Sequence, residues 1–471
     1  MQESGYGGGD DSRPEETGET YFRERLMKGT GLLAAAIVLA ALGGTLYWSN
    51  HRKPSTSSVT SAAESSPKIL DVTPAEVSGI TISKTGAPVL TLSKNEAGKW
   101  QITAPKPLPA DQDSVSSLLS NLSPLNSDRL LEEKAADLNA YGLAKPAVEI
   151  GITEKNGKSA ELLLGDDTPM GSGAYASLKG DPRVFVVASY HKTGLGKTES
   201  DLRDKRLLTF DSEKLSRVAL TAKKQTIEFG RSKDQWQILE PKPLRADQTA
   251  VEDLVRSLGD AKMELSATED EKKYLSAFNS GTPLATAKLT DVAGTEELQV
   301  RKNKDDYYAK SSAVAGVYKV LSSVGTSIDK SLDDFRNKKL FDFGWADPDK
   351  IEIHDSAKST FLTRSGSDWW SSGVKMDEGN VGTLVADLRD LTATKFPDNG
   401  FTTPAIEITV TSDSGKRVEK VQIAKNGDNY VAKRENEPAL YELGATAVKE
   451  LQDAANSLKP AAPAKPEPKK K

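Results

Sequence analysis

The chain has 471 residues, enough for about three domains at roughly 100 to 200 residues each. Its formal net charge of -5 argues against nucleic acid as a main partner, because phosphate binding needs a basic face. The lack of Cys excludes disulfides, thiolate metal sites, a Cys nucleophile and lipid attachment to an N-terminal Cys.

Residues 1–22 are rich in Gly and acids and have no hydrophobic periodicity, so they read as a disordered cytoplasmic tail. Residues 29–48 are twenty uncharged residues, enough to cross about 30 Å of hydrocarbon as a helix. With basic flanks at Arg23, Arg25 and Lys28 on one side and Arg52 and Lys53 on the other, residues 23–53 read as a single-pass transmembrane segment. The slight basic excess on the N-terminal side puts the N-terminus inside and the bulk of the chain outside the cytoplasmic membrane; a cleaved signal peptide is the competing reading. Residues 54–69, rich in Ser, Thr and Ala, suit a flexible linker.

Beyond the linker one amphipathic pattern is written three times. Asp111, Val115, Leu118, Leu119 and Leu122 recur as Asp247, Val251, Leu254, Val255 and Leu258, and again as Asp377, Val381, Leu384, Val385 and Leu388. Apolar residues at i, i+3, i+4 and i+7 share a helix face, and an Asp four residues upstream can cap the N-terminus. Trp100 to Asp111 and Trp236 to Asp247 agree at nine of twelve positions, including Pro-Lys-Pro-Leu. In the third copy Trp370 leads to Asp377 through a shorter segment. The repeated unit is expected to be a strand ending in a Trp anchor, an extended connector and a capped helix.

A second aligned set follows. Val184, Phe185, Val187, Leu195 and Leu202 match Val317, Tyr318, Val320, Ile328 and Phe335 at a displacement of 133, then Leu440, Tyr441, Leu443, Leu451 and Leu458 at a further 123. This predicts a short strand and a second helix. The segments entered at Pro146, Pro283 and Pro404 alternate as half-buried strands, and Asn156-Gly157 and Ser414-Gly415 suit hairpin turns. The expected fold class is α+β: three tandem related modules at 70–209, 210–342 and 343–459, the third divergent, each a mixed or antiparallel sheet with two packed helices and its own core. Residues 460–471 read as a disordered Pro/Lys tail.

The Trp-x-Ile-x-x-Pro connector, the Ala-Asp before a Val-x-x-Leu-Leu helix, Tyr141-Gly-Leu-x-x-Pro146 and Leu202-Arg-Asp-Lys-Arg-Leu-Leu208 resemble the bacterial family catalogued as domain of unknown function 4340. The resemblance covers most of residues 70–342 and, more weakly, 343–459. It implies a membrane-tethered extracytoplasmic protein, often encoded beside ABC-transporter subunits of the gliding-motility type, and it carries no catalytic residues.

The residues themselves offer little chemistry. His191 and His354 lie in different repeats without matching positions, and no His-Glu-x-x-His pattern or Gly-x-Ser-x-Gly elbow occurs, so no metal, cofactor or catalytic residue is expected. Asp166 with Asp167, Asp347 with Asp349, and the run from Glu269 to Lys273 read as solvated acids, and the repeated Asp as caps. Arg203 with Arg206, and Arg336 with Lys339, are expected to form interdomain salt bridges. Lys106, Lys242, Trp100, Trp236 and Trp370 are the candidate partner-binding residues, since equivalent loops on repeats can form one extended edge. The expectation is a non-enzymatic accessory or scaffold at the cytoplasmic membrane, working with an ABC-type transporter or another envelope protein. The alternative is an extracytoplasmic carbohydrate-binding or carbohydrate-processing protein.

Overall fold

The computed structural model describes residues 67–463 except 234, 266–270 and 357, and omits the Glu271 side chain. The expected cytoplasmic tail, transmembrane segment, nearly all of the linker and most of the Pro/Lys tail lie outside the described residues. Among the described residues no helix is long and apolar enough to cross a membrane.

The fold is α+β, with three large antiparallel sheets following one another along the chain, two of nine strands and one of eight. The first is two four-strand meanders set back to back, with Arg129–Glu132 as the ninth strand at one edge, paired with Val184–Ala188. Val77–Lys84, Leu90–Lys94, Trp100–Ala104 and Leu108–Pro109 form one; Val148–Glu154, Ser159–Asp167, Gly173–Leu178 and Val184–Ala188 form the other. Their first strands pair at the centre, with Ile80 opposite Ile152 and Ile82 opposite Ile150. Each meander is followed by a helix: α1 (Gln112–Leu122) after the first, α2 (Ser189–Leu195) and the short α3 (Glu199–Leu202) after the second.

The second sheet repeats this order. Arg217–Ala222 pairs with Thr282–Asp291 at its centre, α4 (Gln248–Gly259) follows the first meander, an added α5 (Glu271–Ser280) precedes the second, and α6 (Ser322–Ile328) closes it. In the third, Lys350–Asp355 pairs with Ile406–Ser412, and α7 (Glu378–Asp390) and α8 (Ala445–Asn456) take the same two places.

Sequence chemistry accounts for the helices. Asp111, Asp247 and Asp377 cap α1, α4 and α7, their carboxylates accepting from the backbone N–H of Ser114, Ala250 and Asn380 at 2.8, 3.0 and 3.0 Å. The twelve repeated Val and Leu positions on these helices are all buried. Each contributes roughly 1.5 to 3 kcal/mol by leaving water. They pack onto one face of each sheet, against residues such as Ile80, Ile82, Leu92 and Ile150. The opposite face of the first sheet is covered by a 3-10 turn, Leu138–Tyr141, where Leu143, Leu163 and Val184 cluster. That crossing requires glycine: Gly142 has φ +67, and a Cβ on Gly165 would meet the Tyr141 carbonyl at 2.1 Å.

Several expectations are corrected. Trp100 begins a strand instead of ending one, and the Pro-Lys-Pro-Leu segment is not extended: it turns back on itself as a hairpin pairing Ile102 with Leu108, and Ile238 with Leu244 in the second sheet. The cores are not three separate ones. Residues of the first sheet form their own cluster, whereas one continuous cluster runs from Leu207 to Ala455 through Phe335, Leu340, Phe341 and Phe343. Lys68–Leu70 is already a strand, paired with Leu125–Asn126, and Pro460 and Ala461 pair with Met376 and Lys375 inside the segment expected to be a tail.

Candidate functional site

The joints between sheets are built from backbone. Residues 202–207 are a shared ribbon: on one edge Asp111 N–H donates to the Leu202 carbonyl at 2.8 Å and Asp204 N–H to Pro109 at 3.0 Å, and on the other Leu207 N–H donates to Ala261 at 2.9 Å and Met263 N–H to Lys205 at 2.8 Å. The second joint repeats the pattern, with Asp247 N–H to Phe335 at 2.8 Å, Asn337 N–H to Arg245 at 3.0 Å, Leu340 N–H to Leu391 at 3.0 Å and Ala393 N–H to Lys338 at 2.8 Å. Such ladders satisfy the backbone of each connector while fixing successive sheets to one another.

The basic residues of these ribbons do not form the expected interdomain ion pairs. Arg203 is buried, donates to the Tyr318 hydroxyl at 2.9 Å and stacks 5.4 Å from the Tyr318 ring, with Glu199 of its own segment at 4.0 Å. Arg206 pairs locally with Asp204 at 2.7 Å. Arg336 pairs with Asp333 at 3.3 Å and lies 3.5 Å from the Phe396 ring centroid, and Lys339 contributes a backbone bridge to Thr392. A flat, weakly hydrated guanidinium can cross a joint on an aromatic face where a carboxylate would be costly to bury.

Between the first two sheets lies a cleft of about 530 Å³. One wall carries Lys84 and Lys106, the segment leading into the ribbon contributes Lys197 and Glu199, the ribbon contributes Arg203, and Tyr318 of the second sheet, Leu265 and Tyr274 of α5 complete the lining. Among the described residues the lining carries four cations and one carboxylate. Lys106 sits at the mouth with its ammonium 3.9 Å from Glu199, and the Lys84 ammonium donates to the Gly196 carbonyl at 3.2 Å.

The second joint fills the same place. Leu265 and Phe396 are equivalent, since the preceding residues pair alike: Glu264 with Lys319, and Lys395 with Glu442. Pro109 and Arg245 are equivalent as well, each opposite the Gln that follows the Trp. At the second joint Phe396 packs 5.5 Å from Tyr441, and Arg245 donates to the Tyr441 hydroxyl at 3.2 Å and reaches Asp342, with the Glu437 carboxylate at 2.9 Å. With a smaller Leu265 and a neutral Pro109, the first joint stays open.

The candidate partner-binding residues are not brought together as one surface. Trp100 and Trp236 are buried beneath α1 and α4, where Gln112 and Gln248 clamp the Trp backbone from both sides: Gln112 Oε1 accepts from Trp100 N–H at 2.9 Å and Nε2 donates to its carbonyl at 3.0 Å, and Gln248 does the same at 2.7 and 2.9 Å. Trp370 is 37% exposed, and its neighbour Trp369, 4% exposed, is the one that occupies the core position. The third alignment is therefore shifted by one residue. Trp369 lies opposite Arg364 as Trp236 lies opposite Arg231. Lys106 and Lys242 are exposed at equivalent hairpins, and only Lys106 lines the cleft. The sequence reading missed Arg203, Leu265 and Tyr318 as a constellation; its one trace was the Pro109 and Arg245 difference inside otherwise matched segments.

Other chemistry-bearing groups stand apart. His191 packs 4.3 Å from the Tyr190 ring and burial pushes its pKa below the usual value; His354 bonds to the Ser359 hydroxyl at 2.8 Å. Asp167 pairs with Lys192, and Asp347 with Arg389. Among the described residues no group of three or more His, Asp or Glu is placed to hold a metal ion.

Comparison with known proteins gives one family match, to a model described as Domain of unknown function (DUF4340), over residues 100–274 and 236–414. Both matches begin at a buried Trp and run through a ribbon, the first ending at Tyr274 in α5 and the second just after the strand Ile406–Ser412. No curated protein and no solved structure matches the chain.

Proposed function

The chain belongs to the DUF4340 family, and from that membership and the joints we propose that it is a non-enzymatic, membrane-anchored extracytoplasmic scaffold, working with an ABC-type transporter or another envelope assembly. In this reading residues 29–48 hold it in the cytoplasmic membrane, and three related modules, at 70–209, 210–342 and 343–459, stand outside. The observation that supports it is the pair of backbone-laddered ribbons at residues 202–207 and 335–340, which tie successive sheets into a continuous array. Arrays of related units present extended surfaces, a form suited to holding protein partners. Burial of Trp100 and Trp236 under helices weighs against the carbohydrate reading, which calls for exposed aromatics beside paired acids, whereas the third Trp of that set, Trp370, is exposed and adds nothing against it.

Crosslinking in intact bacterial membranes, followed by identification of the captured proteins, tests the role. Recovery of transporter or envelope subunits is the expected result, and recovery of none would overturn it. Protease treatment of spheroplasts tests the topology separately: the chain beyond Lys53 should be digested, and its protection would place it on the other side.

A further inference from the structure

We infer that the outer face of the third sheet, opposite the one that α7 and α8 cover, is a binding platform for an extended, neutral oligosaccharide, with Trp370 and Phe361 as the rings on which its sugars lie. The inference concerns this one face and does not depend on the scaffold reading, so either can fail without the other.

Strand register puts both rings on the same side. Trp370 lies opposite Thr363, and Phe361 is two residues from Thr363 on the same strand, opposite Glu352. Alternation along the strands then places Trp370, Thr363 and Phe361 on one face, while Trp369, Leu362 and Ile353 fill the core on the other. The two aromatics are diagonal neighbours, roughly 7 to 8 Å apart at the backbone and within the span of a disaccharide. They are 37% and 45% exposed. The His354 ring packs nearly perpendicular to Phe361 at 5.4 Å and is itself held by the Ser359 hydroxyl at 2.8 Å.

The first two sheets show that the fold does not need these rings. The residue after the core Trp is Gln101 opposite Ser93 in the first sheet and Gln237 opposite Gly230 in the second, where the third has Trp370. The place of Phe361 is taken by Thr91 opposite Thr81 and by Glu228 opposite Ala219. Val418, 61% exposed, lies on the same face, in the row that runs from Trp370 through Thr363, Lys350 and Thr411. Exposed apolar groups gathered on one face mark an interaction surface.

The polar groups among them point to the class of ligand. Lys350 is paired with Glu352, Lys375 with Asp368 at 2.9 Å, and Glu407 accepts from the Gln422 amide at 2.8 Å. With these cations and carboxylates already matched, the face favours neither an anion nor a cation. Lys350 and Glu352 stand between the rings and Val418, whereas the core of a protein interface is depleted in charge. The neighbouring sheet edge is also occupied, since Met376 is bridged to Pro460 and the Ala461 N–H donates to the Lys375 carbonyl at 2.9 Å. A neutral sugar fits what remains. The C–H face of its ring lies on an aromatic π face, and its hydroxyls donate to carboxylates and accept from ammonium groups without bringing a charge of their own. Rings set diagonally across adjacent strands suit an extended, β-linked chain whose sugars follow one another in a ribbon.

Full-length protein in a detergent without a sugar head group is titrated calorimetrically with cellohexaose and with chitohexaose, and with maltohexaose as the coiled, α-linked control. At least one of the two extended sugars should saturate a single site and bind more tightly than maltohexaose. Trp370→Ala should weaken that binding by roughly three- to tenfold, the worth of one aromatic contact, and Trp370→Phe should restore most of it. The double variant Trp370→Gln with Phe361→Glu, which gives the third sheet the residues of the second, should abolish binding and keep a urea midpoint close to the parent's, both positions being exposed. Binding of neither extended sugar, equal binding of maltohexaose, or undiminished binding by the double variant overturns the assignment. Self-association that the double variant removes, with no sugar bound, gives the face to a second copy of the chain and overturns it as well.

Discussion

Arg203 donates to the hydroxyl of Tyr318 at 2.9 Å across the joint between the first and second sheets, 115 residues away in sequence. The arginine is nearly inaccessible, so its charge depends on that hydroxyl, the tyrosine ring and Glu199. Tyr318→Phe leaves the ring and removes the acceptor. The loss should be about 1 to 3 kcal/mol, the usual penalty for stranding a buried donor. Because the first sheet has a core of its own, weakening this joint should also separate its unfolding from that of the other two. Calorimetry would then resolve two transitions in place of one, and an unchanged single transition would contradict the role given to this contact.

The second joint carries more charge and should be less forgiving. Glu419 is buried, accepts from the Asp342 backbone N–H at 3.0 Å and meets Arg434 Nη2 at 3.0 Å; Arg434 also meets Glu437 at 2.7 Å. Removing one member of such a pair strands the other away from water, which costs roughly 3 to 5 kcal/mol. Glu419→Ala should therefore destabilise far more than an exposed pair such as Lys449 with Asp453, worth at most about 1 kcal/mol. Urea unfolding of Glu419→Ala beside Asp453→Ala makes the comparison, and similar midpoints would contradict it.

Acid should loosen the joints in a defined direction. Burial opposes ionisation of Asp204, yet its bonds from the Arg206 side chain and backbone N–H hold its pKa below the ordinary 3.8. Asp334 is likewise held low, by the Ser331 backbone N–H and hydroxyl. A carboxylate with a folded-state pKa below its unfolded one contributes stability that is fully present above the unfolded value and lost as pH falls through the folded one. Asp204→Asn should accordingly reduce stability at neutral pH and flatten its decline below about pH 4. A variant whose acid limb matches the parent's would show that Asp204 is not held by Arg206.

The helices were legible because two independent signals coincide in them. Asp247 predicts a cap and the Val251, Leu254, Val255 and Leu258 spacing predicts a face, and both follow from local geometry alone. The hairpin after Trp100 was not, because Leu108–Pro109 is a two-residue strand, too short for any periodicity, and its prolines suggest an extended path. The cleft was invisible for a different reason. Leu265 and Phe396 lie in segments without a repeating pattern, and their equivalence becomes apparent only once Glu264 and Lys395 are seen paired to matching strands. A repeat in sequence thus located the parts that are alike, whereas the site arises where two copies differ.

Trp369 and Trp370 separate these two kinds of legibility most sharply. Adjacent residues of a strand point to opposite faces, so only one of the pair can fill the core, and composition cannot say which. Trp369 is buried beside the sheet, opposite Arg364, while Trp370 lies on the outer face across from Lys375. Trp369→Ala should cost about 3 to 5 kcal/mol through the cavity it leaves. Trp370→Ala should fall within about 0.5 kcal/mol of the parent, as for most exposed positions. Thermal unfolding of the two variants decides the register, because a shift of one residue would exchange the two results.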